Sequence, residues 1–528
     1  MACLPPQRLI RPALLLVLGA VLGACGTNPV TGKREIQFVS ETAELEIGAK
    51  QYAPTRQSQG GDLKVLPELS AYVNEVGQKL AAVSDRPLPY EFTVLNSSVP
   101  NAWALPGGKI AINRGLLTEL DNEAELAAVL GHEIVHAAAR HGAKAQERGT
   151  LLQVGQVAAQ VGVAMSDVGA TAGNLMVQGA GVGAALISTK YGRDAELESD
   201  DYGMRYMQRA GYDPAGAVTL QEKFVKLSEG RNPSWLEGLF ASHPPSPERV
   251  ARNRETLATL TAGSPAGELG EARYQQRLAP LRALKPAYDQ YDEALALARK
   301  GDVAGARKLA AAAARQVPAE GRFPLLQGDL ALAAKEPAEA LRFYEKSLAL
   351  DDSYFAAWLG AGVAQYQLGA GDRGETRLAR SADLLPTAPA LYYLGSIAKA
   401  AGKRDKAMAY FKGAAGSKSD LGRQAAVEYV RLDFPEHGTK YVAAGFQLDG
   451  RGNVVVVVEN RAPFAVSQIV VTPVLADSAG RVVQQGRAVQ IRGPVAAGQR
   501  ATVNAGFAVT SQEMANALRM RVDGVRGE

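Results

Sequence analysis

The chain has 528 residues, which is long enough for several domains of ordinary size. Its 47% hydrophobic and 21% charged residues are typical of a globular protein, and the net charge of +4 is slight for this length. No basic stripe or base-stacking motif accompanies this charge, which argues against nucleic-acid binding.

The first 25 residues have the pattern of an export signal. Arg8 and Arg11 precede the apolar run ALLLVLGAVLGA, which is short for a membrane span and ends in small residues. The junction LGAC at 22–25 resembles a bacterial lipobox, so we predict that Cys25 is the first mature residue and carries a lipid; an uncleaved signal anchor is the alternative. Gly26 after the cysteine favours delivery to the outer membrane. The only other cysteine would leave with the signal, so no thiol would remain for a disulfide.

The stretch NAWALPGGKIAI, which begins at Asn101, predicts a strand at the edge of a sheet. Apolar and polar residues alternate in it, and Pro-Gly-Gly provides a turn. One interpretation is a core strand followed by a turn. The other is an open edge to which an extended peptide adds through main-chain hydrogen bonds.

The run GHEIVHAAARH lies in a predicted helix that begins at Asn122, a capping residue, and continues without Pro to about residue 148. His132 and His136 are about 40° apart around this helix, so their imidazoles project side by side, as a tetrahedral metal requires. Glu133 points in another direction, which suits a base that takes a proton from metal-bound water. On a continuous helix His141 lies about 180° from His132, so we interpret it as a polar or capping side chain.

Between residues 150 and 190 the chain is almost uncharged and rich in Gly, Ala and Val. A membrane hairpin is one interpretation of this stretch. The density of Gly and the break at Asp167 instead favour small-residue helices packed between two metal-binding helices.

The segment 191–214 predicts a second helix, which ends at Gly211 ahead of Pro214. Glu196 and Asp200 are four residues apart and therefore lie on one face. Alone, this pattern is typical of a solvated acidic face. Because the H-E-x-x-H helix still lacks a ligand, we predict that this face supplies one, together with a carboxylate that orients a histidine from behind.

Five stretches together resemble the gluzincin family of CAAX prenyl proteases and HtpX-like peptidases. They are HEIVH, ELESD, NAWALPGGKIAINRGLL, NPVTGKREIQFVS and SHPPSPERV. The resemblance is closest to the periplasmic branch, in which tetratricopeptide repeats follow the peptidase. It implies that His132, His136 and Glu196 bind zinc. It also implies that Glu133 is the catalytic base and that Asp200 supports a ligating histidine.

The resemblance assigns roles to two further parts of the chain. Nothing in the periodicity places His243 near the other histidines, so without the resemblance it would be interpreted as a surface loop histidine. The family, however, carries an S/T-H-P segment that closes over the cleft. This implies a catalytic role in which His243 occupies the fourth zinc position at rest, swings away when a client engages, and then donates a hydrogen bond to the reacting group. The resemblance also favours Asn101 and Ala102 as the substrate-edge strand.

After residue 263 the composition shifts to a charged helix, and an internal repeat follows. Small residues recur 34, 34 and 33 residues apart, each followed by a turn position and then by a second small residue. The three sets are Ala294, Gly328, Gly362 and Gly395; Gly301, Lys335, Gly369 and Gly402; and Ala306, Ala340, Gly374 and Ala407. This is the tetratricopeptide period, typical of solenoids that bind peptides or partners on a concave face. A passive spacer is the alternative.

Beyond Pro435 the pattern changes to a period of two, in NVVVVVEN, SQIVVTPVLAD, RVVQQGRAVQI and RATVNAGFAV. Turn-forming residues separate these runs, which predicts an immunoglobulin-like β-sandwich that serves for binding or spacing. The sequence thus predicts a multidomain chain with a mainly helical α+β gluzincin metallopeptidase, an α-helical tetratricopeptide-repeat solenoid and a C-terminal β-sandwich. The predicted bounds are a signal peptide at 1–25, the peptidase at 26–262, a linker helix and repeats at 263–435, and the sandwich at 436–528.

We therefore expect a zinc-dependent endopeptidase with one Zn²⁺ per chain, held by lipid on Cys25 to the periplasmic face of the outer membrane. Its expected substrates are misfolded or stalled periplasmic and outer-membrane proteins, and the repeats are expected to contact the outer-membrane assembly machinery. The alternative is a chaperone-like assembly scaffold with a latent peptidase domain. An intact Glu133 beside a full ligand set argues against a complete loss of catalysis.

Overall fold

The computed structural model describes residues 25–37, 39–145, 191–230, 238–262 and 267–527. Two compact units divide the chain, one formed by residues up to 364 with 383–385 and the other by 365–382 with 386 onward. The predicted export signal, the side chain of Cys25 and the apolar stretch between 150 and 190 lie outside the described residues. Of the helices in the described ranges, none combines the length and apolar character that a membrane span needs.

The first unit combines short strands with a larger number of helices in its described part. The strands are β1 (Cys25–Thr27), β2 (Arg34–Ile36), β3 (Glu91–Leu95), β4 (Ala102–Leu105) and β5 (Lys109–Asn113). The helices are α1 (Glu41–Ser58), α2 (Pro67–Ala81), α3 (Arg114–Leu117), α4 (Glu123–Ala138), α5 (Arg193–Arg209), α6 (Ala215–Glu229), α7 (Leu239–Ser242), α8 (Pro247–Thr261), α9 (Glu271–Arg299), α10 (Val303–Gln316), α11 (Arg322–Ala333) and α12 (Pro337–Leu350).

The helices α13 (Phe355–Gln367) and α14 (Gly371–Leu384) come next in the chain. They are followed by α15 (Ala388–Ala400), α16 (Arg404–Ala415), α17 (Asp420–His437) and a 3₁₀ turn at Gly438–Tyr441. The C-terminal strands are β6 (Val442–Leu448), β7 (Asn453–Asn460), β8 (Val466–Ala476), β9 (Val482–Gln485), β10 (Val489–Ile491), β11 (Arg500–Ala508) and β12 (Leu518–Gly527), with the short helix α18 (Gln512–Ala517) before the last.

A three-stranded sheet of order β3–β5–β4 supports the functional half of the first unit. Strand β5 is parallel to β3 and antiparallel to β4, so β4 is an edge strand, as the sequence predicts. The turn between β4 and β5 passes through Gly107 and Gly108, whose φ angles of +78° and +81° are favourable only for glycine. One face of the sheet packs on the main apolar core, which includes Ile110, Ile112 and Leu126.

The helix that carries H-E-x-x-H begins as predicted but is shorter. The Asn122 side chain accepts a hydrogen bond from the Glu125 N–H and so caps α4. The helix ends at Ala138, and Arg140 adopts a left-handed φ of +63°. The prediction of one continuous helix to about residue 148 is therefore wrong, because this left-handed residue turns the chain.

The predicted repeats are confirmed as helix pairs. Helix α9 pairs with α10, α11 with α12, and α15 with α16. All four predicted turn positions are left-handed, with φ +86° at Gly301, +62° at Lys335, +78° at Gly369 and +69° at Gly402. Small residues are needed between paired helices, because a Cβ at Gly328 would lie 2.6 Å from the Tyr344 ring and one at Gly395 would lie 2.7 Å from the Phe411 ring.

Beyond α17 the chain forms a β-sandwich, as predicted. One sheet has the order β11–β7–β6, and the other has the order β10–β8–β12 with β9 also paired to β8. Alternate residues of β7 are buried, and its valines share one apolar core with Ile469 and Val471 of β8. The immunoglobulin-like topology and the domain bounds stay predictions.

Candidate metal centre

The site forms where helices α4 and α5 approach closely. A Cβ at Gly131 would lie 3.2 Å from the Gly203 carbonyl oxygen, and one at Gly203 would lie 3.1 Å from the backbone nitrogen of His132. Glycine at both positions therefore allows the two backbones to come together. This contact places the histidines of α4 opposite the carboxylates of α5.

Four predicted site residues converge here, and all are buried. His132 Nε2 lies 2.9 Å from His136 Nε2 and 3.5 Å from Glu196 Oε2, while His136 Nε2 lies 3.4 Å from Glu196 Oε1. From the segment after α7, His243 Nδ1 lies 3.3 Å from His132 Nε2 and 3.0 Å from Glu196 Oε1. Ligands held at about 2.0–2.1 Å around a tetrahedral ion are about 3.3 Å apart, so this group can hold a metal ion.

His132 is held from behind by a buried ionic network. Its Nδ1 lies 2.9 Å from Asp200 Oδ1, and the Arg249 guanidinium donates two hydrogen bonds of 2.7 Å to the Asp200 carboxylate. Arg249 Nη1 also lies 2.9 Å from Glu196 Oε2. Burial alone would lower the pKa of His132, but the hydrogen bonds to Asp200 and Glu196 raise it to about 9. Metal binding at neutral pH would therefore release a proton from this site.

His136 has a different support, which the sequence analysis missed. Because Arg140 turns the chain after α4, His141 returns to the metal side, and its Nδ1 lies 2.9 Å from His136 Nδ1. His141 Nε2 lies 3.2 Å from Glu198 Oε1. Burial lowers the pKa of His141, which favours the neutral imidazole. The interpretation of His141 as a helix-end side chain away from the other histidines is therefore wrong.

Glu133 is buried next to the four converging residues. Its Oε1 lies 3.6 Å from His243 Nε2, and its Oε2 has no hydrogen-bond partner among the described residues. A small cavity beside it is lined by apolar side chains, including Val129, Phe224 and Leu239, together with the polar residues of the site. Burial raises the pKa of Glu133, which favours a carboxyl group that can both accept and return a proton.

A comparison with known families agrees with this donor set. A family model described as peptidase family M48 matches residues 67–257. The chain contains a peptidase M48 domain. Peptidases of this family are metal-dependent, and the M48 domain here has a cluster of His and Glu side chains that can hold a metal, which supports a metalloprotease.

Curated relatives match over the same part of the chain. The beta-barrel assembly-enhancing protease of Escherichia coli strain K12 is 32% identical over 194 residues, which cover 36% of this chain and 39% of the relative. Metalloprotease LoiP of the same strain is 34% identical over 172 residues, covering 32% and 64%. The mitochondrial metalloendopeptidase OMA1 of Schizosaccharomyces pombe is 31% identical over 234 residues, covering 43% and 65%. The chain thus spans less than half the length of the beta-barrel assembly-enhancing proteases that it matches.

One solved structure similar to part of the chain is a thermophilic tetratricopeptide-repeat protein of Thermus thermophilus. It is 17% identical, and the match covers 29% of this chain and 84% of that one with a TM-score of 0.25.

The predicted substrate edge is strand β4 of the M48 domain. Asn113 donates its N–H to the Asn101 carbonyl, so this pair is hydrogen-bonded across β4 and β5. In an antiparallel ladder the hydrogen-bonded pairs alternate, so Ala102 and Ala104 direct their N–H and C=O groups outward. The Asn101 carbonyl is already used, and Ala102, whose main chain points away from β5, is 0% exposed within a strand that is buried along its whole length. The substrate edge at Asn101 and Ala102 therefore stays a prediction.

Two further side chains of the M48 domain were not assigned from the sequence. Arg249 lies in the quoted SHPPSPERV stretch, but nothing in its spacing connects it with Asp200. Tyr191 stacks on His136, with ring centroids 4.0 Å apart and an interplanar angle of 27°. Both contacts are set by the tertiary fold, which brings α8 against α5 and places Tyr191, just before α5, against α4.

Proposed function

We propose that this protein is a zinc-dependent endopeptidase of the bacterial cell envelope that cleaves misfolded or stalled periplasmic and outer-membrane proteins. The observation that carries the proposal is the convergence of His132, His136 and Glu196 with the buried, partly unpaired carboxyl group of Glu133. The M48 match and the names of the curated relatives support the same activity. Envelope localisation, lipid on Cys25 and contacts of the repeats with assembly machinery belong to the proposal.

Each residue has a defined task in this mechanism. His132, His136 and Glu196 would hold the zinc through Nε2, Nε2 and a carboxylate oxygen. Bound zinc would polarise the scissile carbonyl and lower the pKa of a water. Glu133 would take the proton from the attacking water and deliver it to the leaving nitrogen.

Strand β4 would position the substrate. Ala102 and Ala104 are buried, so an extended peptide would first have to displace the groups that cover them. It would then gain main-chain hydrogen bonds without regard to its side chains. Selection among clients would then depend on which chains are unfolded enough to extend, and on the repeats. This suits an enzyme that removes misfolded proteins.

His243 supports a resting state of the enzyme. Its Nδ1 lies among the other ligand atoms, so a tetrahedral ion held here would have four protein ligands and no open position. We propose that His243 caps the zinc at rest and leaves when a substrate engages. His243→Ala should then raise the cleavage of an unfolded model protein while zinc content stays at one per chain, and unchanged cleavage would make His243 a bystander.

The closed ligand set also favours the second candidate, a scaffold with a latent peptidase. Glu133→Gln separates the two, because it keeps the shape of the side chain and removes the base. We expect the zinc-loaded Glu133→Gln variant to lose at least 100-fold in the cleavage rate of an unfolded protein. Glu46→Gln, an exposed change on α1, is the matched control and should cleave like the wild type.

The cellular test uses a deletion strain under envelope stress. Under the endopeptidase proposal, wild type and Glu46→Gln rescue growth and Glu133→Gln does not. Equal rescue by Glu133→Gln would favour the scaffold and contradict the proposal that proteolysis is the main function.

A further inference from the structure

The side-chain amide of Asn28 has a fixed orientation. Asn28 is fully buried in the turn of the β1–β2 hairpin, and its Oδ1 accepts hydrogen bonds from the N–H groups of Val30 at 2.9 Å and Thr31 at 3.2 Å. Because these donors require the oxygen, Nδ2 must lie on the other side. There it donates to Glu198 Oε1 at 3.0 Å and to Glu35 Oε1 at 3.3 Å.

Glu198 connects Asn28 to His141 by hydrogen bonds. Its Oε1 accepts from Asn28 and lies 3.2 Å from His141 Nε2. A carboxylate only accepts, so Nε2 of His141 carries the proton, and in a neutral imidazole Nδ1 is then the acceptor. The Ser199 hydroxyl also lies on this side, 3.4 Å from Nδ1.

His136 is the end of the chain of hydrogen bonds. Its Nδ1 faces the acceptor Nδ1 of His141 at 2.9 Å and must therefore carry a proton. Its Nε2 then has a free lone pair, and this is the atom that lies among the other ligand atoms. Ligating histidines usually donate their second N–H to a partner that fixes the ring, and His132 does so through Asp200.

We propose that the N-terminal β-hairpin is part of the metal site, in which Asn28 and Glu198 act through His141 to fix the His136 tautomer that offers Nε2 to the metal. Asn28, Glu198 and His141 are positioning residues, since none of them places an atom among the four converging ligand atoms and they act through His136. The hairpin is also tied to the segment after α4 by an ion pair between Glu35 and Lys144. The proposal rests on the metal-binding part of the proposed function and adds the N-terminal segment to it.

The decisive variant is Asn28→Asp in the full-length chain. It keeps an oxygen for the turn but removes the donor and places a second carboxylate against Glu198. We expect zinc affinity, measured by competition with a chelator, to fall about 10-fold to 100-fold. Glu198→Ala should cause a similar loss, and Glu198→Gln, which keeps an accepting oxygen, should restore affinity to within about threefold of the wild type. Lys33→Ala, an exposed change in the same turn, is the control and should bind zinc like the wild type.

A second measurement reports the tautomer without metal. In metal-free protein labelled with ¹⁵N-histidine, the wild type should show His136 protonated at Nδ1, and Asn28→Asp should shift that population toward Nε2. If Asn28→Asp fails to fold, the same measurements of zinc affinity and of the His136 tautomer can be made on Glu198→Ala and Glu198→Gln.

The inference would be overturned if Asn28→Asp and Glu198→Ala bound zinc as tightly as the wild type. It would also be overturned if His136 were protonated at Nε2 in the metal-free wild type. A purely structural role would lower the free energy of unfolding of the metal-free variants and leave zinc affinity unchanged. Failure of the wild type itself to bind zinc would instead contradict the proposed function, and the tautomer measurement would still test the chain of hydrogen bonds.

Discussion

Replacing Asp200 by Asn tests the support behind His132. Asp200 and Arg249 are 7% and 5% exposed, and the Asp200 carboxylate receives two hydrogen bonds of 2.7 Å from Arg249 and faces His132 Nδ1 at 2.9 Å. An Asn in this position has one accepting oxygen and turns an N–H₂ group toward donors. The variant therefore loses a charge and at least one hydrogen bond while the volume of the side chain is kept.

The expected effects follow from these contacts. Breaking a buried ion pair costs about 3–5 kcal/mol when the remaining charge has no partner. Arg249 keeps its 2.9 Å contact with Glu196, so we expect a loss of about 3 kcal/mol in the free energy of unfolding of the metal-free protein. Weaker orientation of His132 should also lower zinc affinity about 10-fold to 100-fold, or about 1.4–2.8 kcal/mol.

The assays are urea unfolding of the metal-free protein and chelator competition for zinc. Asp201→Asn is the matched control, because Asp201 is the next residue and pairs with Arg205 near the surface. That control should cost less than about 1 kcal/mol and leave zinc affinity unchanged. A zinc affinity of Asp200→Asn within twofold of the wild type would refute the claim that this network orients His132.

Three further predictions concern other parts of the chain. Lys335→Gly should raise the free energy of unfolding by up to about 1 kcal/mol, because it removes a Cβ from a residue at φ +62°; a lower urea midpoint would contradict this. Burial alone would raise the pKa of Asp433, but hydrogen bonds from Lys440 and Tyr441 lower it below the unfolded value, so its stabilising contribution is present above about pH 4 and is lost at lower pH. Asp433→Asn should therefore cost about 1 kcal/mol at pH 7 and less as the pH falls below about 4, and a cost that does not change with pH would exclude this explanation. Cys25→Ala should abolish lipid labelling and release the protein from the membrane fraction, whereas continued attachment without label would favour a signal anchor.

Local patterns in the sequence were sufficient to predict much of the fold. The cap at Asn122, the turn at Gly107 and the left-handed turn positions of the repeats depend on residues that are close in sequence, and the structure has each of them as predicted. The spacing of small residues also predicted where paired helices touch. Even Lys335, which is not a glycine, follows the period of its repeat.

The end of α4 could not be predicted in this way. Arg140 adopts a left-handed conformation that costs about 1–2 kcal/mol for a non-glycine residue. Its guanidinium is held by Glu44 at 2.8 Å and by the Val39 carbonyl, about 100 residues earlier in the chain. These tertiary contacts stabilise the turn, and the sequence pattern of the helix does not predict them.

Dependence on tertiary contacts also explains why some site residues were predicted and others were missed. His132, Glu133 and His136 share one helix, and the four-residue spacing of Glu196 and Asp200 indicated a second helix that faces the metal. The resemblance to a family then supplied the roles of these two carboxylates and of His243. The supports behind the histidines come from other elements, with Arg249 on α8 and Asn28 in the N-terminal hairpin. Their roles depend on hydrogen bonds between segments far apart in sequence.

The zinc content of the purified protein tests the central claim most directly. Elemental analysis of the full-length wild type should give one zinc per chain. Glu196→Gln and His136→Ala each remove one of the converging ligands and should abolish stoichiometric zinc. Full zinc occupancy in either variant would contradict the assignment of His132, His136 and Glu196 as the metal ligands.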